Sequence, residues 1–298
     1  MMKYKHLILA LLSLYSIKSL AQVEKSENKE QVVSATLDVV SQATVPATSL
    51  SDFCVNSLKA YKSYKKEDDL VKACMQVVQM QGCSSVQGKP IYHVEKKGKT
   101  EKAKNILVIS LIHGDEIGAG SLGRYWMERI NEIDPRNTWR IIPVANPDGA
   151  EKKTRTNSDG VDLNRNFPTK DWQSDAAQFW KNKSKGAERK FPGDKAASEP
   201  EVNCLINHIN DFKPDFVVSI HTPLNVLDFD GPKVKAPHYS YLPWRRLGNF
   251  PGSLGRYLWV EQNIPVLTTE LKYDLPKTEG VFEQLQDVIG YLVQTDIK

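Results

Sequence analysis

Two histidines and two glutamates, each placed at the end of an apolar run, are the first residues of this chain that could do chemistry. His113-Gly114-Asp115-Glu116 follows the stretch centred on Ile106-Leu107-Val108-Ile109, and His221 follows Phe216-Val217-Val218-Ser219-Ile220. A histidine at a strand end and a glutamate three residues later, in the first helical turn, can aim at one point. A third ligand from a distant strand end completes a His₂Glu set, which suits zinc and leaves a tetrahedral position open for water. Glu270 ends a further apolar segment, residues 264–270. Zinc lowers the pKa of its water to about 7, and a carboxylate nearby can take that proton and pass it to a leaving amine. Singly, an HxxE pair, a histidine and a glutamate are common on surfaces and in cores. Their shared position at strand ends is what sets them apart.

A second block lies between the two histidines. Asn146-Pro147-Asp148-Gly149 reads as a turn, and it is followed by Thr154-Arg155-Thr156-Asn157 and Gly160-Val161-Asp162-Leu163-Asn164-Arg165-Asn166-Phe167-Pro168. Arg165 beside Asn164 offers a bidentate cation and an amide, a pair suited to a terminal carboxylate. Arg155 could face the oxyanion that develops on a scissile carbonyl.

These residues need elements to hold them. Unbroken apolar character predicts strands at 91–94, 105–112, 139–144, 215–220 and 264–270. Helices are expected at 116–133, 200–211, 251–262 and 278–295, with long loops over 145–198 and 231–251. Strands alternating with helices give an α/β fold, with a central mixed, largely parallel sheet and helices on both faces. A small helical appendage, two short amphipathic helices within 51–81, precedes the domain that begins at 83 and runs to 298.

The start of the chain has a different character. Lys3 and Lys5 lead into an apolar run from Leu7 to Leu14, and Ser19-Leu20-Ala21 supplies small residues for cleavage. Residues 1–21 therefore read as a secretory signal peptide, and the polar residues 22–50 as a flexible lead-in. Export to the periplasm or beyond follows, with no stable membrane span after cleavage. The net charge of +4 drops to about +1 without Lys3, Lys5 and Lys18, too little for a nucleic-acid partner. Of the four cysteines, Cys54, Cys74 and Cys83 precede the main strands, and an oxidising compartment favours a bridge among them. If 54–63 and 66–80 form an antiparallel hairpin, Cys54 and Cys74 face each other and Cys83 is left over. Connectivity does not follow from spacing. Cys204 reads as a buried free thiol.

Taken together, HGDE, NPDG, the Arg155 segment, GVDLNRNFP, the His221 strand end and Glu270 resemble the zinc carboxypeptidase (M14) family over roughly residues 83–298, in that family's order. GVDLNRNFP is the specific signal. The resemblance implies one zinc per chain on His113, Glu116 and His221, and Glu270 as general base. It also implies Arg155 polarising the carbonyl, Asn164 and Arg165 holding the substrate carboxylate, and Asp162 orienting His113. Ser219-Ile220-His221-Thr222-Pro223-Leu224, Asp230-Gly231-Pro232 and Pro251-Gly252-Ser253-Leu254-Gly255 look like the bacterial murein peptide amidases within that family. The bond implied is that between γ-D-glutamate and meso-diaminopimelate, so the partner is a peptidoglycan stem peptide, the tripeptide. Arg245, Arg246 or Asp230 are candidates to meet the far end of diaminopimelate. Digestive members carry a tyrosine where Gly248 stands here, and Tyr239, Tyr241 and Tyr257 are candidates to replace it. The alternatives are a deacylase of N-acyl amino acids and a general peptide carboxypeptidase.

Overall fold

The computed structural model describes residues 49–273, 276 and 278–294, so the signal peptide at 1–21 and the lead-in up to 48 lie outside the described residues. The chain runs through α1 (Ser49–Leu58), α2 (Glu67–Cys74), β1 (Val78–Ser84), β2 (Pro90–Lys96), β3 (Asn105–Ile109), α3 (Ile117–Ile130) and β4 (Thr138–Ile142). It continues with α4 (Pro147–Lys152), α5 (Ala177–Lys183), α6 (Pro200–Phe212), β5 (Phe216–His221), β6 (Val226–Asp230), β7 (Val266–Glu270) and α7 (Gly280–Gln294). The strands form one seven-stranded sheet in the order β1-β2-β4-β3-β5-β7-β6. β4, β3, β5 and β7 are mutually parallel, and β2 and β6 flank them antiparallel.

The central strands are apolar throughout because both faces are covered. Ile106 and Val108 enter one core with residues of α1, α2, α3 and α7, whereas Leu107 and Ile109 enter the other beneath α6. The parallel register pairs Ile109 with Ser219 and His221 with Glu270. The carboxyl ends of β3, β5 and β7 therefore lie side by side.

Several expectations change. The helix expected over 66–80 ends at Cys74, and its second half is β1. Leu70, Ala73 and Cys74 form a buried stripe at helical spacing, but the β-branched Val77-Val78 that follow favour extended chain, and Val78 pairs with His93. The NPDG turn opens a helix: the Asn146 side chain accepts from Gly149 N at 2.8 Å and Pro147 takes the first helical position. The segment expected as a helix at 251–262 begins as a turn and becomes a π-helical stretch, Arg256–Glu261. β6 was not anticipated at all.

The helical appendage shares the core of the sheet. Leu58, Tyr61 and Leu70 pack with Leu122, Tyr125 and Trp126 of α3. The buried Arg124 donates to Tyr61 O at 2.7 Å and to Glu128 Oε1 at 2.7 Å, and Ser63 donates to Glu128. Cys54 and Cys74 are joined, as a helical hairpin allows. Cys204 is not a free thiol. It is bridged to Cys83 across 121 residues, a pairing set by where α6 crosses β1 and not by local spacing. No helix of the described residues is long and apolar enough to cross a membrane.

Candidate active site

The turn after β3 carries His113 and Glu116 to the carboxyl edge of the sheet. Gly114 makes this possible: a Cβ there would lie 1.9 Å from the Gly149 carbonyl carbon. The NPDG helix start therefore presses directly against the HGDE turn. Asn146 Nδ2 binds the two neighbouring segments together, donating to Ile112 O at 3.3 Å and to Arg155 O at 3.4 Å.

His113, Glu116 and His221 converge, all three buried. His113 Nδ1 lies 2.8 Å from Glu116 Oε1 and 3.2 Å from His221 Nδ1, and His221 Nδ1 lies 3.0 Å from Glu116 Oε2. The outer nitrogens have separate partners. His113 Nε2 is 3.0 Å from Asp162 Oδ1, and His221 Nε2 is 3.0 Å from Ser219 Oγ. With Nε2–H donating outward in each ring, both Nδ1 lone pairs point at Glu116. Their ligand atoms all lie within 4.8 Å of one another, so two imidazole nitrogens and a carboxylate with both oxygens turned inward fit a zinc ion.

Charge at this wall is internally matched. Burial would raise the Glu116 carboxyl, but His113 and His221 hold it well below the usual range. Burial likewise opposes ionisation of the fully buried Asp162, and Arg155 and His113 outweigh it. Arg155 Nε donates to Asp162 Oδ2 at 2.9 Å, while its Nη1 lies 3.1 Å from His113 Nδ1. The burial of Arg155 is offset by Asp162 and Glu116, so it stays firmly cationic.

Asn164 and Arg165 leave Asp162 through a short 3-10 turn, Leu163–Arg165, which Asp162 caps. Asn164 Oδ1 accepts from Leu254 N at 2.8 Å, which brings the PGSLG segment against the loop. Arg165 stacks over Phe250, 4.7 Å from the ring centre, and its carbonyl accepts from Trp172 Nε1. Glu270 Oε2 accepts from Leu224 N at 3.3 Å.

His113, Glu116, His221, Glu270, Arg155, Asn164 and Arg165 line one cleft of about 410 Å³. Asp162 lies directly behind His113 and Arg155. Asp230 lines the cleft; Arg245 and Arg246 line a different groove. They follow Trp244 on a loop along the outer side of β6 and do not line the cleft, although the Arg246 charge favours the ionised forms of Asp228 and Asp230. Tyr239 is buried and donates to Val281 O, Tyr257 packs on Phe167, and Tyr241 lies beside Tyr239; none of the three lines the cleft. Gly248 does, with φ +84°, a backbone region that would strain a tyrosine.

Several polar lining residues went unnoticed in the sequence, among them Asp228, Asn249, Tyr273 and the cations Arg189 and Lys190. Asp228 had a signal. In Val226-Leu227-Asp228-Phe229-Asp230 the apolar Leu227 and Phe229 alternate with acids, which is strand periodicity with both acids on one face. Burial raises both carboxyls, and with Asp228 as neighbour Asp230 is pushed up to about 6. Tyr273, exposed in the loop after β7, had no signal of its own.

An α/β sheet that gathers two histidines and two glutamates at the carboxyl ends of parallel strands defines a metal-dependent hydrolase. Residues 64–230 match the zinc carboxypeptidase family, Peptidase M14, and the chain belongs to that family. Murein peptide amidase A of Escherichia coli K12 is 40% identical over 143 residues, which is 47% of this chain and 50% of that protein. Murein peptide amidase A of Vibrio campbellii is 34% identical over 142 residues, 44% of this chain and 55% of that protein. The chain thus spans about half the length of the curated relatives it matches. Among solved structures, the murein-tripeptide amidase of Escherichia coli O157 superposes with a TM-score of 0.51 at 24% identity, covering 74% of this chain and 93% of that one. Carboxypeptidase A of Helicoverpa armigera gives 0.57 at 17% identity, covering 81% and 78%. These structural likenesses concern the fold.

Proposed function

We propose that this chain is an exported zinc hydrolase that cleaves the γ-D-glutamyl–meso-diaminopimelate bond of peptidoglycan stem peptides. The observation that carries the substrate is the charge pattern of the cleft: Arg155, Asn164 and Arg165 on one wall, and Asp228 and Asp230 on β6 on another. Diaminopimelate has a carboxylate next to the scissile nitrogen and, at its far end, an ammonium beside a second carboxylate; the first carboxylate can meet the cationic wall while the ammonium meets the acidic one. The relatives named murein peptide amidase A support the same choice. The two disulfides fit an oxidising compartment.

In this reading His113, Glu116 and His221 hold the zinc, and Asp162 and Ser219 fix the tautomers that leave both Nδ1 atoms free to bind it. When bound, zinc supplies Lewis acidity, acidifying water and polarising a carbonyl. Arg165 and Asn164 clamp the carboxylate of the departing residue. Arg155, anchored by Asp162, donates to the carbonyl oxygen as it gains charge. Glu270 takes a proton from the attacking water. As the C–N bond breaks, Glu270 delivers that proton to the leaving amine, so water is divided between a new carboxyl group and a free amino group.

A peptide ending in lysine would also place an ammonium near Asp228 and Asp230, which favours a second reading, a carboxypeptidase for basic residues. Side-by-side digestion separates the two. L-Ala-γ-D-Glu-meso-diaminopimelate is expected to be cut faster than an α-linked peptide ending in L-lysine and faster than N-acetyl-aspartate. Faster release of lysine would install the second reading, and hydrolysis of the N-acyl amino acid alone would point to a deacylase.

A further inference from the structure

Beneath α6, away from the cleft, lies a second set of metal-type donors. Cys83 on β1 and Cys204 and His208 on α6 place their ligand atoms within 4.8 Å of one another, and all three residues are fully buried. Cys204 and His208 are four apart, so both leave the same face of the helix. Among the described residues, neither ring nitrogen of His208 has a hydrogen-bond partner. His93 on β2 packs edge-on to it, with ring centres 4.9 Å apart, and its Nδ1 is also without a partner. A buried polar atom left unpaired is costly. Apolar packing alone gives no reason for two such rings in this core. Burial, reinforced by Arg140 and, for His208, by His93, lowers His93 to about 4 and His208 to about 3, so both are neutral and carry a free lone pair at neutral pH.

We propose that Cys83, Cys204 and His208 form a second, thiol-gated metal site, closed by the disulfide in the oxidised chain and open to a thiophilic divalent cation such as zinc in the reduced one. Opening the site is a thiol–disulfide exchange. A dithiol reductant gives up two electrons and becomes its own disulfide, the Cys83–Cys204 bond breaks, and two thiols form. Zinc then displaces two protons to make two Zn–S bonds, and His208 supplies a nitrogen. His93 stands beside His208 as a further donor. Bridge or metal, the link pins β1 to α6. The first turn of α6 carries Glu201, which together with Glu199 just before the helix holds Asn157 of the substrate loop.

Zinc content of the full chain, measured oxidised and after reduction with a phosphine, tests this. Reduction is expected to add one equivalent to whatever the oxidised protein holds. Cobalt loading of the reduced protein is expected to produce the near-ultraviolet sulfur-to-cobalt charge-transfer band that a His₂Glu site cannot give. His208→Gln leaves the disulfide intact, and its zinc content when oxidised reports its folding. In the reduced state it should bind the added equivalent at least about 10–100-fold more weakly, since loss of an outer-shell partner alone costs that much. Cys83→Ser should abolish the added equivalent, and Cys54→Ser, at the other bridge, should keep it. Equal zinc in both redox states, cobalt uptake without the band, or undiminished binding by reduced His208→Gln would each overturn the proposal.

Discussion

The cleft has two walls that treat buried charge in opposite ways. Around His113 every charged group has an opposite charge in reach: Glu116 between two histidines, and Asp162 between His113 and Arg155. On β6, Asp228 and Asp230 share a face, and neither makes an ion pair among the described residues. Asp228 accepts from Leu247 N, and Asp230 has Asn249 beside it. The first wall is a preorganised network, costly to disturb and ready before substrate arrives. The second holds carboxylates that burial keeps from ionising easily, and an incoming ammonium would stabilise them. In the proposed function, chemistry belongs to the matched wall and selectivity to the unmatched one.

The sharpest break of this contrast is at the base. Glu270→Gln is expected to lower kcat by roughly 10³-fold or more, within the range of general acid–base effects, while zinc content stays at the wild-type level. Measured together, the two quantities separate a lost proton carrier from a lost metal. Asp162→Asn tests the matched wall from behind. It removes the acceptor that fixes the His113 tautomer and should weaken zinc binding about 10–100-fold, read by competition with a chelator.

The unmatched wall should respond to substrate chemistry and not to metal. Asp230→Asn is expected to cut kcat/KM on the diaminopimelate peptide about 10–100-fold, the worth of a charged hydrogen bond. A peptide carrying 2-aminopimelate, which lacks the far amine, should be nearly unaffected. The pH dependence carries a sign. Asp230 must be ionised to hold an ammonium, and burial with Asp228 nearby sets its pKa at about 6. The preference for diaminopimelate over 2-aminopimelate should therefore be full above that value and fade below it. A ratio flat from pH 5 to 8 would remove Asp230 from recognition.

The smallest effect lies behind the substrate loop. Glu201 is fully buried, accepts from Val86 N and Asn157, and is raised by burial from 4.5 to about 7. A carboxyl whose folded pKa exceeds its unfolded one costs stability as pH rises between the two. Glu201→Gln should accordingly stabilise the protein at pH 8 by about 1–3 kcal/mol and flatten the fall of Tm between pH 4.5 and 7. An unchanged Tm profile would contradict this.

The matched wall was legible in the sequence and the unmatched one mostly was not, for physical reasons. His113, His221 and Glu270 each end a long apolar run, and such a run has to be a buried strand, so their convergence follows from a parallel sheet. Asp162, Asn164 and Arg165 came through likeness of motif, because nothing local tells a loop carboxylate to stand behind a histidine forty-nine residues earlier. β6 is five residues long, and its acids look solvated until β7 and the PGSLG loop enclose them. The Cys83–Cys204 bridge and the unpaired ring nitrogens of His93 and His208 arise where α6 crosses the sheet edge, a crossing that no local pattern encodes. β1 was hidden by the helix before it, whose apolar spacing runs on into a β-branched pair.

The most direct test of the central claim is to incubate purified protein with L-Ala-γ-D-Glu-meso-diaminopimelate and follow the free amino acid released. The expected result is stoichiometric diaminopimelate and L-Ala-D-Glu, abolished by a chelator and restored by zinc. No diaminopimelate under any metal condition, or release that persists after complete chelation, would contradict the assignment of His113, Glu116 and His221 to the centre of a zinc-dependent amidase.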